Sequence, residues 1–393
     1  MGLMSEYIDR RMSPKEMEEE LLKLISKYNK IRNTYLFVYA GAIGKPIPDI
    51  PLSMDDYYIV FDMLKDVNAD NLDFYIETPG GSGEAVEEIV RFIRNKFSNI
   101  AFVVSGEAKS AGTIMVLSGD EILMTNSGSL GPIDAQVKIG RSVISAYDYI
   151  EWVKEKREEA EKTGKLNPFD ATMVAQISPG ELSGVHHTLK FAEDLVVEWL
   201  PKYKFKNWNV TETRKIPVTE EMKKKRAREI ANELMNHARW RSHGRSIKIS
   251  DLESESIGLK IIKVDDDSQL RDIVYRIQTI CRLLFAGTTT YKIFATEKEK
   301  IFKRAVHVGV PPKIPTGKTP DVAEVEVRCP SCGKSHKIYA KFIPDPKIDE
   351  NFRNKGAKPF PSDNKLICDC GFEIDLSGIK NEIEARSGKK III

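Results

Sequence analysis

Two short glycine-containing segments hold the residues best placed to do chemistry. The first, Thr78-Pro79-Gly80-Gly81-Ser82-Gly83, follows directly on an apolar run that reads as a strand. Two glycines there let backbone N–H groups come close to a ligand oxygen, and the N-terminus of a following helix adds its positive dipole end. Such a turn can form half of an oxyanion hole. The second, Ala108-Lys109-Ser110-Ala111-Gly112-Thr113, opens a short helix rich in small residues. A serine on a strand-to-helix turn presents its hydroxyl outward with the next N–H beside it, which makes Ser110 the attacking group and the Ala111 N–H an oxyanion donor. Taken singly, a Gly-Gly pair also fits a plain turn and the serine a helix cap. Their combination and order carry the catalytic reading.

A second chemistry lies near the C-terminus. Cys329-Pro-Ser-Cys332-Gly333 and Cys368-Asp-Cys370-Gly371 are two knuckle-like turns, each with a glycine after its last cysteine. Four thiolates in two pairs suit tetrahedral zinc in a closed structural site, and the metal would supply much of the folding energy of a small module. The single residue between Cys368 and Cys370 departs from the commonest spacing, and His336 is an alternative ligand. The fifth cysteine, Cys281, lies in the apolar stretch Ile280 to Phe285 and reads as a core residue.

Elements that position these residues follow from periodicity. Tyr35 to Tyr39, Leu72 to Ile76, Ile100 to Val104 and Glu121 to Met124 read as strands, separated by turns and helical patterns in the grammar of repeated β-α units. Val86, Ile89, Val90, Ile93 and Phe97 recur at helical spacing, placing a helix directly behind the glycine turn. Residues 1–33 read as an N-terminal helix, 147–165 as a charged helix stopped at Gly164, and further helices follow at 168–203 and 219–240. Gly244 breaks the pattern, 257–264 has the content of a strand returning to the sheet, and 267–305 reads as helical. Proline enrichment from Pro311 marks a linker over 306–322 into a module spanning 323–393, leaving 34–305 as the main domain.

The motifs as a set resemble the Clp/crotonase superfamily, within it signal peptide peptidase A and especially the serine dehydrogenase proteinases. The resemblance rests on Glu77 to Ser82, Ala108 to Thr113 and Gly128-Ser-Leu-Gly-Pro-Ile-Asp-Ala-Gln136, with Ser242-His-Gly-Arg-Ser-Ile247 and Gly258-Leu-Lys260 farther on. It covers about residues 30 to 295 and implies an α/β fold: a Clp/crotonase-like β-α spiral core with helical additions, to which a small C-terminal zinc ribbon is joined. It also implies Ser110 as nucleophile, the N–H groups of Gly81 and Ala111 as oxyanion donors, and a substrate groove bordered by Gly80 and by Gly128 to Asp134. Stacked or ring-shaped homo-oligomers are expected as well.

A serine hydroxyl needs a positioned base. Where Clp proteases carry a histidine, this chain reads Pro132-Ile133-Asp134-Ala135-Gln136. Signal peptide peptidase A uses a downstream lysine whose pKa burial lowers, and the resemblance favours Lys165 in that role, with Lys162 and Lys138 as alternatives. His186, His187 and His243 are further candidates, and Asp134 could orient a base or bind substrate. Lys109 is expected to point away from Ser110, as an oligomer-contact or groove residue.

In 393 residues, 60 lysines and arginines face 58 acidic residues, so a net charge of +2 argues for neither nucleic acid nor an anionic membrane as partner. Basic residues flank the cysteine module, but no interleaved aromatics support base stacking. No long uncharged apolar run and no signal-peptide pattern is evident, so the expectation is a cytoplasmic protein, with membrane contact at most peripheral. No Walker motif occurs, so any unfolding motor would be a separate protein. The leading reading is an ATP-independent serine endopeptidase acting on peptides or proteins through a Ser-Lys dyad. A catalytically inactive peptide-binding scaffold, or a crotonase-like acyl-thioester enzyme that would not need Ser110, would use the same geometry.

Overall fold

The structure is a computed structural model that describes residues 2–139, 142–211, 213–305, 321–387 and 389–392. All but the last two residues of the expected linker, 306–322, lie outside the described residues. The chain divides into two compact units: Met1–Arg10, Glu18–Arg282 and Lys292–Phe302 form the first, and Arg11–Met17, Leu283–Tyr291 and Lys303–Ile393 the second.

In chain order the elements are helices α1 (Leu3–Asp9) and α2 (Pro14–Arg32), strand β1 (Tyr35–Gly41), α3 (Met54–Leu64), β2 (Asn71–Glu77), α4 (Gly83–Lys96), β3 (Asn99–Val104), β4 (Glu107–Ala108), α5 (Ala111–Leu117), β5 (Glu121–Met124) and β6 (Ser129–Leu130). A hairpin of β7 (Gln136–Ile139) and β8 (Ser142–Ser145) leads into helices α6 (Ala146–Thr163), α7 (Pro168–Val174), α8 (Pro179–Lys202), α9 (Glu220–Met235), α10 (His237–Trp240) and α11 (Ile249–Leu252). Strand β9 (Ile262–Lys263), helix α12 (Ser268–Gly287) and strands β10 (Thr290–Ala295) and β11 (Lys300–Arg304) follow.

A seven-stranded sheet in the order β11-β10-β1-β2-β3-β5-β9 is the spine. Strands β1, β2, β3, β5 and β9 run parallel, and β10 pairs antiparallel with β1. The fold is therefore mixed α/β with a parallel-rich sheet. Strand β1 is buried along its whole length, as a strand covered on both faces must be, and its Phe37 packs on Phe74 of β2, which packs on Phe102 of β3. On α4 the buried Val86, Ile89, Val90 and Ile93 form one apolar stripe, and Ser82 caps the helix by accepting a hydrogen bond from Ala85 N–H at 3.0 Å.

The second unit carries β12 (Val322–Arg328) and β13 (Ser335–Lys341), an antiparallel pair, followed by α13 (Pro346–Asn354), β14 (Lys358–Pro359), the small hairpin β15 (Lys365–Ile367) and β16 (Glu373–Asp375), and α14 (Ser377–Ser387). Alternating burial along β12 matches one wet and one packed face.

Three sequence expectations change. Residues 1–33 form two helices, because Arg11 takes a left-handed φ of 49° and Pro14, lacking an N–H, starts a new helix at its first turn. Helix is expected through 305 but stops at Gly287, after which three consecutive threonines and Tyr291, Ile293 and Phe294 favour the strands β10 and β11. Of the returning strand expected over 257–264, two residues, Ile262 and Lys263, pair with β5.

Candidate active site

The two chemical segments meet at the carboxyl ends of the parallel strands. Thr78 N–H donates to Glu107 O at 2.8 Å and Lys109 N–H to Thr78 O at 3.0 Å, so the turns after β2 and β3 are laced together. Glycine is required twice at the junction. A Cβ on Gly80, whose φ is 108°, would lie 2.8 Å from Ser110 Cβ, and one on Gly81, at φ 144°, would lie 2.3 Å from Leu52 O. Leu52 grips the turn from its far side, its N–H donating to Gly80 O at 2.7 Å and its carbonyl accepting from Ser82 N–H at 2.9 Å.

Ser110 itself has φ 51° and ψ −119°, a conformation that costs an L residue on the order of 1–3 kcal/mol. Although it sits at the N-cap position of α5, its hydroxyl makes no capping bond, and it has no hydrogen-bond partner among the described residues. The helix-cap explanation of this serine is thereby removed. Closure of the turn falls to Gly112 N–H, which donates to Lys109 O at 2.8 Å, while Gly80 N–H is taken by Thr78 Oγ1 at 3.2 Å. The N–H groups of Gly81 and Ala111 serve neither bond.

Behind the serine, Thr113 ties α5 to the segment Gly131 to Asp134. Its Oγ1 accepts from Gly131 N–H at 2.9 Å and lies 2.8 Å from Ala108 O and 3.0 Å from Gly131 O. Asp134 is fully buried, and its Oδ1 lies 2.8 Å from His243 Nδ1. A carboxylate only accepts, so His243 donates its Nδ1–H to Asp134, and in the neutral ring the lone pair then lies on Nε2. Of the two roles weighed for Asp134, this buried contact suits the orientation of a base.

Lys109 corrects another expectation. It is buried rather than available to an oligomer contact or a groove, and its Nζ sits among Ser246 Oγ (2.9 Å), Leu130 O (3.1 Å), Arg245 O (3.2 Å) and Ser129 Oγ (3.3 Å). Burial holds its pKa below the ordinary lysine value, with Lys248 adding to the depression and Glu107 opposing it. Beneath the glycine turn, burial pushes Glu77 up to about 7 against the opposing charge of Arg282, with which it forms an ion pair.

The expected lysine bases are elsewhere. Lys138, Lys162 and Lys165 are exposed: Lys162 pairs with Glu158 at 3.4 Å, and Lys165 follows the left-handed Gly164 that ends α6. No described contact brings any of them to Ser110. His186 and His187 are exposed on α8, where with Tyr147 and Met235 they line a cavity of about 610 Å³.

In the second unit, Cys329, Cys332, Cys368 and Cys370 bring their sulfurs within 4.8 Å of one another, the closest pairs at 3.5 and 3.6 Å. Tetrahedral zinc with Zn–S bonds of about 2.3 Å requires S···S separations of about 3.8 Å, so the donor set fits such a metal. Gly333 and Gly371 take left-handed φ values of 74° and 83°, and their N–H groups donate to Cys329 O and Cys368 O, closing both knuckles. His336 Nε2 lies 3.2 Å from Cys368 Sγ, beside the cluster rather than in place of a cysteine. Cys281 is fully buried in the first unit, as expected of a core residue.

Sequence reasoning names Asp134 and His243 separately and does not pair them, and it places Lys109 outside the site. The available signals were an aspartate at the place where a histidine was sought and a histidine in the Ser242 to Ile247 motif. Their partnership across more than a hundred residues has no periodic signature.

The family model described as "ClpP-like SDH-type serine proteinase" matches residues 40–169. Two uncharacterized proteins of Methanocaldococcus jannaschii are similar, one 31% identical over 78 residues (19% of this chain, 27% of the relative), the other 25% identical over 130 residues (31% and 45%). The match thus spans less than half the length of these curated relatives. Among solved structures, the membrane-bound stomatin-specific protease 1510-N is similar in two forms. A serine-to-alanine variant is 21% identical, covering 30% of this chain and 61% of that one, and a lysine-to-alanine variant in complex with a substrate peptide is 17% identical, covering 58% and 94%; both have a TM-score of 0.23. Residues 40–169, which carry both the glycine turn and Ser110, are thus similar to the ClpP-like SDH-type serine proteinase family.

Proposed function

We propose that this protein is a serine endopeptidase whose nucleophile is Ser110, whose general base is His243 oriented by Asp134, and whose oxyanion donors are the N–H groups of Gly81 and Ala111. The observation that carries the reading is the strained φ of Ser110, held with its hydroxyl unspent against the obligatory Gly80. In the reaction, Ser110 Oγ bonds to the scissile carbonyl carbon as its proton passes to His243 Nε2. The carbonyl oxygen takes the negative charge between the two N–H donors. Cleavage of the C–N bond gives that proton to the leaving amine; water then attacks the acyl carbon as His243 takes its proton, and the ester C–O bond breaks with the proton passing to Ser110 Oγ. The four cysteines hold a structural zinc ion that closes the C-terminal module, a role suited to a site with no position left for substrate.

His243 is preferred over Lys165 because a buried carboxylate orients it and its loop is fastened to the residue before the nucleophile. The test is intact-mass detection of a fluorophosphonate adduct on wild type, Ser110→Ala, His243→Ala and Lys165→Ala. An adduct absent from Ser110→Ala and His243→Ala but retained in Lys165→Ala is expected. Retention in His243→Ala with loss in Lys165→Ala would establish the serine-lysine dyad instead. No adduct in folded wild-type protein would favour a peptide-binding scaffold, and turnover of thioesters by Ser110→Ala an acyl-thioester enzyme.

A further inference from the structure

We infer that Lys109 is a positioning residue that holds the His243 loop in register with the nucleophile; the inference rests on the reading of His243 as the base. Lys109 and Ser110 are consecutive, so any displacement of one moves the other. From that point the lysine stem runs across Gly131, where an added Cβ would sit 2.7 Å from Lys109 Cδ, and its ammonium emerges among oxygens from two other segments. Leu130 O and Ser129 Oγ belong to β6 and the chain leading to Asp134. Arg245 O and Ser246 Oγ belong to the turn that begins at His243. One buried cation therefore ties together the three pieces of backbone that carry Ser110, Asp134 and His243.

Few other bonds do this work. Leu130 and Ile247 form a bridge of two backbone hydrogen bonds at 3.0 Å, which anchors the end of the 243–247 turn to β6 but not to the nucleophile turn. Lys248 Nζ reaches Ser127 O and Gly128 O, again on the β6 side. Among the described hydrogen bonds, those of Lys109 join the His243 turn directly to the segment of Ser110. An ammonium has three hydrogens and no acceptor, and the surrounding oxygens suit it but would leave a shorter or neutral side chain with unmet carbonyls. The charges nearest to it are Glu107 on its own turn and Lys248 from the 247–248 segment, whose effects on its protonation oppose each other.

The experiment compares full-length wild type, Lys109→Met, Lys109→Arg and Ser246→Ala. It measures the rate of fluorophosphonate addition to Ser110 against pH and the imidazole ¹⁵N signals of His243. A misplaced base costs about 10²-fold in rate, so Lys109→Met is expected to label about 100-fold more slowly, with altered His243 nitrogen shifts and an unchanged far-UV spectrum. Lys109→Arg should recover part of that loss, and Ser246→Ala, which removes a single acceptor, should label about 5-fold more slowly. Wild-type rates and His243 signals in both Lys109→Met and Ser246→Ala would overturn the inference. If Lys109→Met does not fold, Ser246→Ala alone decides: a slowed rate with shifted His243 signals supports the clamp, and wild-type behaviour refutes it. Should His243→Ala label like wild type, the base assignment fails on its own account, independently of what the lysine variants show.

Discussion

Asp134 and His243, far apart in the chain, meet at 2.8 Å with the aspartate fully buried and its second oxygen, Oδ2, lacking a hydrogen-bond partner. A buried carboxylate of this kind is costly unless paired, and the imidazole is the partner that makes it tolerable. The same contact fixes the ring's tautomer and aims Nε2 away from the aspartate.

Asp134→Asn should therefore keep the fold and lose the chemistry. An amide in that place can donate to Nδ1 and favour the wrong tautomer, so serine labelling and peptide hydrolysis are expected to fall about 10³-fold. Rate measurements beside a thermal melt check this: a rate within about threefold of wild type would remove Asp134 from the mechanism.

Gly80→Ala should act on activity and stability together. The new methyl would sit 2.8 Å from Ser110 Cβ at a φ of 108°, so either the serine or the glycine turn must move. A loss of on the order of 2 kcal/mol in stability is expected, with labelling of Ser110 reduced at least about 100-fold. Denaturant melts and adduct rates report the two effects separately.

Glu77 should impose a pH dependence on stability. Its pKa rises from the ordinary carboxylate range to about 7 in the folded protein, mainly through burial. A raised pKa means the folded state holds the proton more tightly, so this stabilisation is complete below about 4.5 and is lost as pH rises through about 7. Unfolding free energies from pH 5 to 8 should fall for wild type, and Glu77→Gln should show a slope shallower by on the order of 1–3 kcal/mol over that range. Parallel slopes for the two proteins would refute the assignment.

Metal removal should unfold the cysteine module. Protein purified without chelator is expected to carry one zinc ion per chain by elemental analysis, and Cys332→Ser or Cys370→Ser to carry substantially less. Chelation should abolish a thermal transition that added zinc restores. Full retention of structure without bound metal would identify the cluster as reduced, unligated thiols.

The β-α repeats, the glycine turn, Ser110 and the four cysteines were legible because their signals are local: alternation of apolar runs, glycine where backbone must come close, and short spacings between ligands. The strand β10 is not legible in the sequence because Ile293 and Phe294 suit a buried helix as well as a strand, and pairing with β1 decides between them. The surroundings of the candidate bases depend on the fold in the same way. Lys165 occupies a plausible place in the order of the chain but an exposed loop in space, whereas His243 is fastened to buried Asp134 and, through its loop, to Lys109.

Taken alone, the sequence determined which residues could attack, which backbone could stabilise an oxyanion and which thiols could hold a metal, since each depends on neighbours within a few positions. Tertiary structure decided that Asp134 meets His243, and that Lys109 is buried among backbone carbonyls rather than displayed. Those outcomes depend on desolvation and on contacts between segments more than a hundred residues apart, and such distances are set only when the sheet has brought the loops at its carboxyl edge together.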